Sequence, residues 1–244
     1  DRPVLSQLGD WLGGLARFDL GPSSLYGRPV ADLVLERAEH TAVLAAVVLL
    51  VATVIGLPLG ILTGARPRGV LAALVSPMAI ALVACPPIVG ALALLLLAAS
   101  TGWLSTSPGS LAVPAIALAL PLGAVIERLQ SRATADSLAS PDITAAAARG
   151  VPAARLLWIH AARQSLRPVL GVYGIVIGTL FSGSLAVEAV TAWPGIGRLM
   201  YEALVNRDLF LVGGCALAGA VLIALGNLVA DVLRAVVDPR IGEA

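Results

Sequence analysis

Long apolar runs separated by short polar segments organise this chain. A membrane-spanning helix needs roughly 20 predominantly apolar residues, and five runs predict such helices: 41–63, 71–99, 111–126, 169–187 and 209–237. The second run contains Pro77 and a double proline at 86–87, so we expect it to be kinked. Gly56, Pro58 and Gly60 lie near the end of the first run, where helix breaks are tolerated if neighbouring helices satisfy the backbone.

The first 40 residues are the most polar part of the chain, with arginines and acidic residues mixed. Short helices are expected at 3–16 and 30–39, joined by a turn at 21–24 that is rich in Gly, Pro and Ser. Trp11 and Phe18 suit a membrane surface, where aromatic side chains concentrate.

Composition agrees with a protein that lies mostly inside a bilayer. Hydrophobic residues make up 58% of the chain and charged residues 13%, and the mean hydropathy is +0.93. A soluble domain has about 45–50% apolar and about 25% charged residues. The sequence therefore predicts an all-α polytopic membrane protein with five transmembrane helices, and its net charge of +1 gives no indication of nucleic-acid binding.

The residue types that are missing or sparse exclude several kinds of chemistry. All 16 basic residues are arginine, so there is no lysine for a P-loop or for a Schiff base. Cys85 and Cys215 both lie in apolar runs, where thiols usually act as small hydrophobes. His40 and His160 are far apart, which argues against a histidine metal site.

Arginine distribution predicts the orientation, because cytoplasmic loops carry the excess of positive residues. The transmembrane domain is expected to comprise residues 41–244. If its Arg66/Arg68 hairpin lies inside, the loop 127–168 and the C-terminus lie inside as well. Ten of the 16 arginines then lie inside and six outside. The inside set is Arg66, Arg68, Arg128, Arg132, Arg149, Arg155, Arg163, Arg167, Arg234 and Arg240.

The stretch 141–168 between the third and fourth runs has an unusual order of residues. It carries four arginines, so we do not expect it to cross the bilayer. Four consecutive alanines, 145–148, favour a short helix; Gly150 suits its C-terminal cap, and Pro152 follows where the helix cannot continue. A second, basic helix is predicted at 153–165. An ordinary solvated loop is the alternative interpretation of the same composition.

The order of residues in this stretch resembles a known motif. The motif consists of Thr144-Ala145-Ala146, three further residues and Gly150. It is similar to the Glu-Ala-Ala loop of ATP-binding cassette (ABC) importer permeases, with Thr144 in place of Glu. Asp142, His160 and Leu166-Arg167-Pro168 resemble the dipeptide, oligopeptide and nickel branch of that family. The resemblance implies a coupling helix that sits in a groove of a cytoplasmic ATPase, and it implies these coupling residues: Asp142, Thr144, Ala145, Ala146, Ala147, Arg149, Gly150 and His160.

A second part of the resemblance lies between the fourth and fifth runs. Glu188, followed by Trp193, Pro194, Gly195 and Gly197, is similar to the outer re-entrant loop of the same permeases, here residues 188–208. A carboxylate near membrane depth is costly unless it faces water, a partner or cargo. Attraction of a cationic peptide end and a hydrogen bond to nearby backbone amides are both open interpretations of this residue.

Other polar and small residues in the spans have similar alternatives. Ser182 and Ser184 are candidates to line the translocation pathway together with Glu188, although serines in spans often bond their own backbone. Gly174 and Gly178 have GxxxG spacing, which favours close helix packing or a moving gate face. The resemblance extends to three further segments: Asp19-Leu20-Gly21 with Ser23, Pro29-Val30 and Thr41; Asn227 with Asp231; and Asp238-Pro239-Arg240. The first of these implies that residues 1–40 form an extracytoplasmic cap, for which a plain surface turn is the alternative. Asn227 and Asp231 are expected to bond between helices, with a part in transport as the alternative.

As a whole, the resemblance implies the type I ABC permease fold, with a six-helix core whose first span precedes this sequence. It implies a transmembrane subunit of a bacterial inner-membrane importer for di- or oligopeptides, working by alternating access. The expected partners are a homologous second permease in a heterodimer, two ABC ATPases that bind ATP and Mg, and an extracytoplasmic substrate-binding protein. The chain itself is expected to be no enzyme and to hold no cofactor. Nickel or another small solute is the alternative cargo; a gradient-driven secondary transporter and a membrane-embedded enzyme are alternative classes.

Overall fold

The computed structural model describes residues 13–14, 19–105, 107 and 109–237. Apart from an isolated bridge between Pro22 and Pro29, the regular structure in these residues is helical. The predicted helix 3–16, Trp11, Phe18 and the segment 238–240 fall wholly or almost wholly outside the described residues.

The helical elements follow one another with short connections. In chain order they are α1 (Val30–Ala65), α2 (Val70–Ala84), α3 (Pro87–Thr101), α4 (Ala112–Leu138), α5 (Pro141–Ala148), α6 (Ala153–Arg155), π1 (Leu156–Ala161), α7 (Ala162–Gly171), α8 (Tyr173–Val190), α9 (Ile196–Val205) and α10 (Leu209–Val237). The fifth predicted span coincides with α10.

Two helices are longer than their apolar runs. The predicted short helix 30–39 and the first span form the single helix α1 of 36 residues, about 54 Å long at 1.5 Å per residue. Helix α4 does not end at residue 126 but continues to Leu138. Polar residues end an apolar run without breaking backbone hydrogen bonds, so both helices extend beyond the hydrocarbon core of about 30 Å.

The double proline breaks the second predicted span instead of merely kinking it. Cys85 precedes Pro86 and takes an extended conformation (φ −84°, ψ 119°), because a residue before proline is disfavoured in the helical region. Pro87 then occupies the first turn of α3, where a missing N–H costs nothing. The axes of α2 and α3 differ by 104°.

Helices α1 and α4 pack in parallel, which fixes the number of membrane crossings. Gly56 lies against Gly123, Gly60 against Glu127, and Gly64 against Ser131, so both chains advance in the same direction. The chain must therefore cross back between the end of α1 and the start of α4. Helices α2 and α3 together supply this return and count as one broken span, which gives five crossings with the four long apolar helices.

The tight contact in the bundle is built by glycines of α1. A methyl group on Gly60 would lie 2.6 Å from the carbonyl oxygen of Glu127, and one on Gly56 would lie 2.7 Å from that of Gly123. A methyl group on Gly64 would meet the Ser131 carbonyl oxygen still more closely. We name Gly56, Gly60 and Gly64 the glycine seam; it brings the backbones of α1 and α4 into direct contact.

The GxxxG pair in α8 does not make a comparable contact. Gly178 has open space around it, and Gly174 faces the side chain of Asn227 in α10. The Oδ1 atom of Asn227 is buried without a hydrogen-bond partner among the described residues, and Asp231 is exposed. The bonding predicted for Asn227 and Asp231 is therefore not seen in the described part of the chain.

Candidate functional site

Helix α5 is a short helix with well-defined ends. Pro141 occupies its first turn, and the Thr144 hydroxyl donates to the carbonyl oxygens of Ser140 (3.0 Å) and Pro141 (2.9 Å). At the other end Gly150 adopts φ +83°, in the left-handed region that favours glycine. Its N–H donates to the Ala147 carbonyl at 3.0 Å. The sequence interpretation of an alanine helix stopped by Gly150 matches this geometry.

One side of α5 anchors it and the other is exposed. Ile143 and Ala146 are buried in a small cluster with Leu156 and Ala161. Ala146 therefore packs α5 against π1 and also lines the groove at the base of α5, and its coupling role stays a prediction. The remaining predicted coupling residues are exposed: Asp142, Thr144, Ala145, Ala147, Arg149, Gly150 and His160.

A groove of about 590 Å³ runs between α5 and the segment π1–α7. Arg163, Arg167 and His160 line it together with Asp142. Among the described residues Asp142 forms no ion pair with either arginine, and Arg167 Nε is buried without an acceptor. Arginine is the side chain best suited to planar bidentate contact with a carboxylate. The groove is thus an electropositive recess beside the alanine face, able to receive an acidic group.

At the C-terminal end of α8, Glu188 closes a compact corner. Its side chain is fully buried, and Oε2 accepts a hydrogen bond from the Gly197 amide at 2.7 Å. The Thr41 hydroxyl accepts one from the Ile196 amide at 2.8 Å. Gly195 lies so close to both side chains that a methyl group there would overlap the Glu188 carboxylate. We name Thr41, Glu188, Gly195 and Gly197 the outer corner.

The outer corner joins the end of α8 to α1 and α9. Trp193 is buried, and its indole N–H donates to the His40 carbonyl at 3.2 Å. The predicted outer loop 188–208 therefore begins within α8, turns through Trp193 and Pro194, and continues as α9. Of the two interpretations of Glu188, the geometry favours the hydrogen bond to backbone amides.

The three predicted pathway residues do not share a surface. Ser184 and Glu188 are buried within this chain, and the Ser184 hydroxyl donates to the Phe181 carbonyl of its own helix at 3.0 Å. Ser182 is exposed. In this conformation Ser184 and Glu188 are covered by residues of this chain, whereas Ser182 lies at its surface. A pathway role for the three residues stays a prediction.

A polar clamp between the cap turn and α10 is a feature that the sequence does not predict. The Asp208 carboxylate accepts hydrogen bonds from the Ser23 hydroxyl (2.6 Å), the Leu25 amide (3.1 Å) and the Leu211 amide (3.1 Å). Asp208 stands just before an apolar helix, which is a recognisable N-cap signal. Its partner Ser23 lies 185 residues earlier, and spacing along the chain does not reveal such a pair.

Electrostatics favour the ionised form of this clamp. Burial alone raises the pKa of Asp208, but the hydrogen bonds from Ser23, Leu25 and Leu211 outweigh it and lower the pKa below its ordinary value. Beside the clamp, the Tyr26 hydroxyl donates to Glu202 at 2.6 Å. A carboxylate held by donors in the folded state stabilises that state while it is charged.

We expect Asp208→Asn to lower the thermal stability of the protein at pH 7, because a neutral amide replaces a carboxylate that holds three donors. Loss of such a group costs about 1–3 kcal/mol. Since the folded pKa is depressed, the stabilisation is full above the unfolded pKa and disappears as pH falls through the folded value. The wild type should therefore melt at a clearly higher temperature than the variant at pH 7, and this difference should disappear below about pH 4.

Glu36→Gln is the matched control for this prediction. It removes the ion pair between Arg28 and Glu36, whose side chains are 49% and 56% exposed, and exposed pairs contribute little. If Asp208→Asn had the same melting temperature as the wild type at pH 7, the clamp would not stabilise the fold and the prediction would be wrong.

Comparison with known proteins agrees with this architecture. The profile of the family described as "Binding-protein-dependent transport system inner membrane component" matches residues 56–243. The oligopeptide transport system permease protein AppB of Bacillus subtilis is 31% identical, over 98% of this chain and 81% of that protein. The dipeptide transport system permease protein DppB of Escherichia coli is 28% identical, over 99% of this chain and 82% of that protein.

A solved structure supports the fold. An inward-facing conformation of the MetNI methionine ABC transporter superposes with a TM-score of 0.70 at 19% identity, covering 84% of this chain and 96% of that chain. The expected type I ABC permease fold is confirmed. With the family profile matched over residues 56–243, this chain belongs to the family of binding-protein-dependent transport system inner membrane components.

Proposed function

We propose that this chain is a permease subunit of an ATP-driven importer of di- or oligopeptides in the bacterial inner membrane. The observation that carries the proposal is the exposed alanine face of α5, ended by Gly150 and adjoining the electropositive groove. A smooth face of small residues permits close approach of a partner's groove. The peptide cargo rests on the relatives, whose names are those of oligopeptide and dipeptide permeases.

The partners follow from this role. Two cytoplasmic ABC ATPases would dock on α5 and supply ATP and Mg, which this chain need not bind. A homologous second permease would complete the passage as a heterodimer, and an extracytoplasmic binding protein would deliver the peptide. Transport would proceed by alternating access, with closure of the ATPases displacing α5 and opening the bundle outward.

The groove beside α5 offers the ATPase an electrostatic contact in addition to the alanine face. The absence of Glu at position 144 removes one acidic group, while Arg163 and Arg167 present guanidinium groups to the same side of α5. We infer that an acidic side chain of the ATPase enters this groove, in an ion pair of opposite polarity to the one that Glu would make.

We expect Ala147→Trp to separate the chain from its ATPases without unfolding it. Ala147 is exposed on α5, so the added indole disturbs the docking face and no internal contact. The test is a tagged pull-down from native membranes in mild detergent. The wild type should retain two ATPase copies or types and a second permease, whereas the variant should retain the second permease alone.

The matched control is Leu204→Trp in α9, on the outer side, where a cytoplasmic ATPase has no access. Leu204 is 55% exposed, so the same bulky side chain is added to a surface position. Retention of the ATPases by Ala147→Trp would contradict the docking face. A wild type that elutes without any ATPase would favour a gradient-driven carrier.

A further inference from the structure

Buried polar side chains link α4 to the helices on both of its sides. Towards α1, the Thr63 hydroxyl donates to the Glu127 carboxylate at 2.6 Å. Thr63 is 1% and Glu127 3% exposed. This hydrogen bond lies beside the glycine seam, one helical turn from Gly60, where an added methyl group would meet the Glu127 carbonyl oxygen. It fixes the sliding position of α1 against α4.

Towards α7, the link runs through Gln130. Its amide nitrogen donates to the Ser165 hydroxyl at 2.7 Å and to the Thr134 hydroxyl at 3.1 Å. All three residues are fully buried. The Ser165 hydroxyl also donates to the Ala162 carbonyl of its own helix at 3.1 Å, so the amide is held at a defined position along α7.

These two links lie in the half of α4 that leads towards α5. Helix α4 ends at Leu138 and α5 begins at Pro141, with only two residues between them, while α7 follows π1 on the return path. The buried cluster of Ile143, Ala146 and Leu156 ties α5 to π1. Both covalent connections of α5 therefore lead into helices that are joined by Gln130.

Apolar contacts and polar contacts respond differently to a sliding movement. Apolar packing is non-directional, so two helices can shift along each other with little change in buried area. A buried hydrogen bond is lost when its partners separate, and the unpaired group then bears the full desolvation cost. The bonds of Gln130 and Glu127 thus resist sliding more than the surrounding alanines and leucines do.

We propose that Gln130 and Thr63 are positioning residues that make α1, α4 and α7 move as one body when α5 is displaced, so that ATPase closure is converted into opening of the bundle. This inference rests on the proposed function and assigns the residues through which the ATPases act on the spans. Without the links, the same displacement would be absorbed by sliding between helices.

The test uses the complete importer reconstituted in proteoliposomes, with ATP hydrolysis and uptake of a labelled tripeptide measured on the same preparation. Gln130→Met keeps the side-chain length and removes both hydrogen bonds to α7 and Thr134. Thr63→Val keeps the shape and removes the bond to Glu127. We expect assembly and ATP hydrolysis to persist while uptake falls, so that the ATP consumed per peptide rises at least about fivefold, within the usual range of coupling between sites.

Thr179→Val is the matched control, because among the described residues the Thr179 hydroxyl bonds the Val176 carbonyl of its own helix alone, at 2.8 Å. Its ratio of ATP consumed per peptide should equal that of the wild type. Ser165→Ala is a milder variant that removes one acceptor of the Gln130 amide if Gln130→Met assembles poorly. If assembly, ATP hydrolysis and uptake all fell together in these variants, the ATP consumed per peptide would stay unchanged. The residues would then have a purely structural role, and the proposal would be overturned. A wild type without ATP-dependent uptake would instead refute the proposed function itself.

Discussion

Replacing Gly60 with leucine is expected to prevent the protein from accumulating as a folded, monodisperse species. The nearest atoms to a side chain at this position are the Glu127 carbonyl oxygen and the Gln130 Cβ, both at 2.6 Å. A backbone atom cannot move aside as a flexible side chain can, so α1 and α4 must separate. Separation also removes the contacts of Gly56 and Gly64 and the bond between Thr63 and Glu127.

Gly60→Ala gives a graded version of the same result. Alanine favours a helix over glycine by about 1 kcal/mol, whereas overpacking costs about 1–3 kcal/mol and more when backbone must shift. We expect the melting temperature in detergent to fall by roughly 5 °C or more. Size-exclusion profiles and thermal unfolding of the purified chain measure both variants.

Gly178→Ala is the control, because a methyl group added at Gly178 would have no atom of another element within 4 Å. The substitution should leave the melting temperature unchanged or raise it slightly through helix propensity. Equal destabilisation of Gly60→Ala and Gly178→Ala would show that the glycine seam has no special role in packing.

The contrast between these two glycines shows what a motif in a sequence can predict. GxxxG spacing indicates that a helix has a small face, and both α1 and α8 have one. It does not indicate which helix lies opposite. Gly60 meets the backbone of α4, whereas Gly178 meets open space, and the difference depends on the arrangement of the whole bundle.

Hydropathy predicts the existence of the spans better than their ends. Helix α10 begins at the start of its apolar run because the Asp208 carboxylate accepts a hydrogen bond from the Leu211 amide in the first turn. Helices α1 and α4 continue past their runs because helix formation depends on backbone hydrogen bonds, which polar side chains do not interrupt. The Gly150 turn is predicted correctly since left-handed backbone at the end of a helix demands glycine.

The sequence alone does not decide between the two interpretations of Glu188, and the reason is physical. A carboxylate near the end of a span is stabilised either by water and cargo or by amide donors, and both need the same residue type. Only the fold shows that Gly197, nine residues later, places its N–H 2.7 Å from Oε2. Complete burial of the side chain then excludes contact with cargo in this conformation.

Glu188→Ala is therefore expected to disrupt the outer corner and abolish most peptide uptake. The change leaves the Gly197 amide buried without an acceptor and opens a cavity beside Thr41. The unpaired donor costs about 1–3 kcal/mol, to which the cavity adds. The expected readouts are a lower melting temperature of the purified chain and a reduced amount of assembled importer, with uptake falling in proportion.

Two further variants separate shape and hydrogen bonding from charge. Glu188→Gln retains an oxygen that accepts from Gly197, so uptake and melting temperature should stay near wild type. Gly195→Ala keeps the carboxylate but places a methyl group against it and 2.5 Å from the Thr41 hydroxyl, so it should resemble Glu188→Ala. If Glu188→Gln lost uptake while its melting temperature and assembly stayed normal, the negative charge itself would be required. Glu188 would then act by attracting the cationic end of the peptide instead of by holding the outer corner together. That role would require a second conformation in which the outer corner opens.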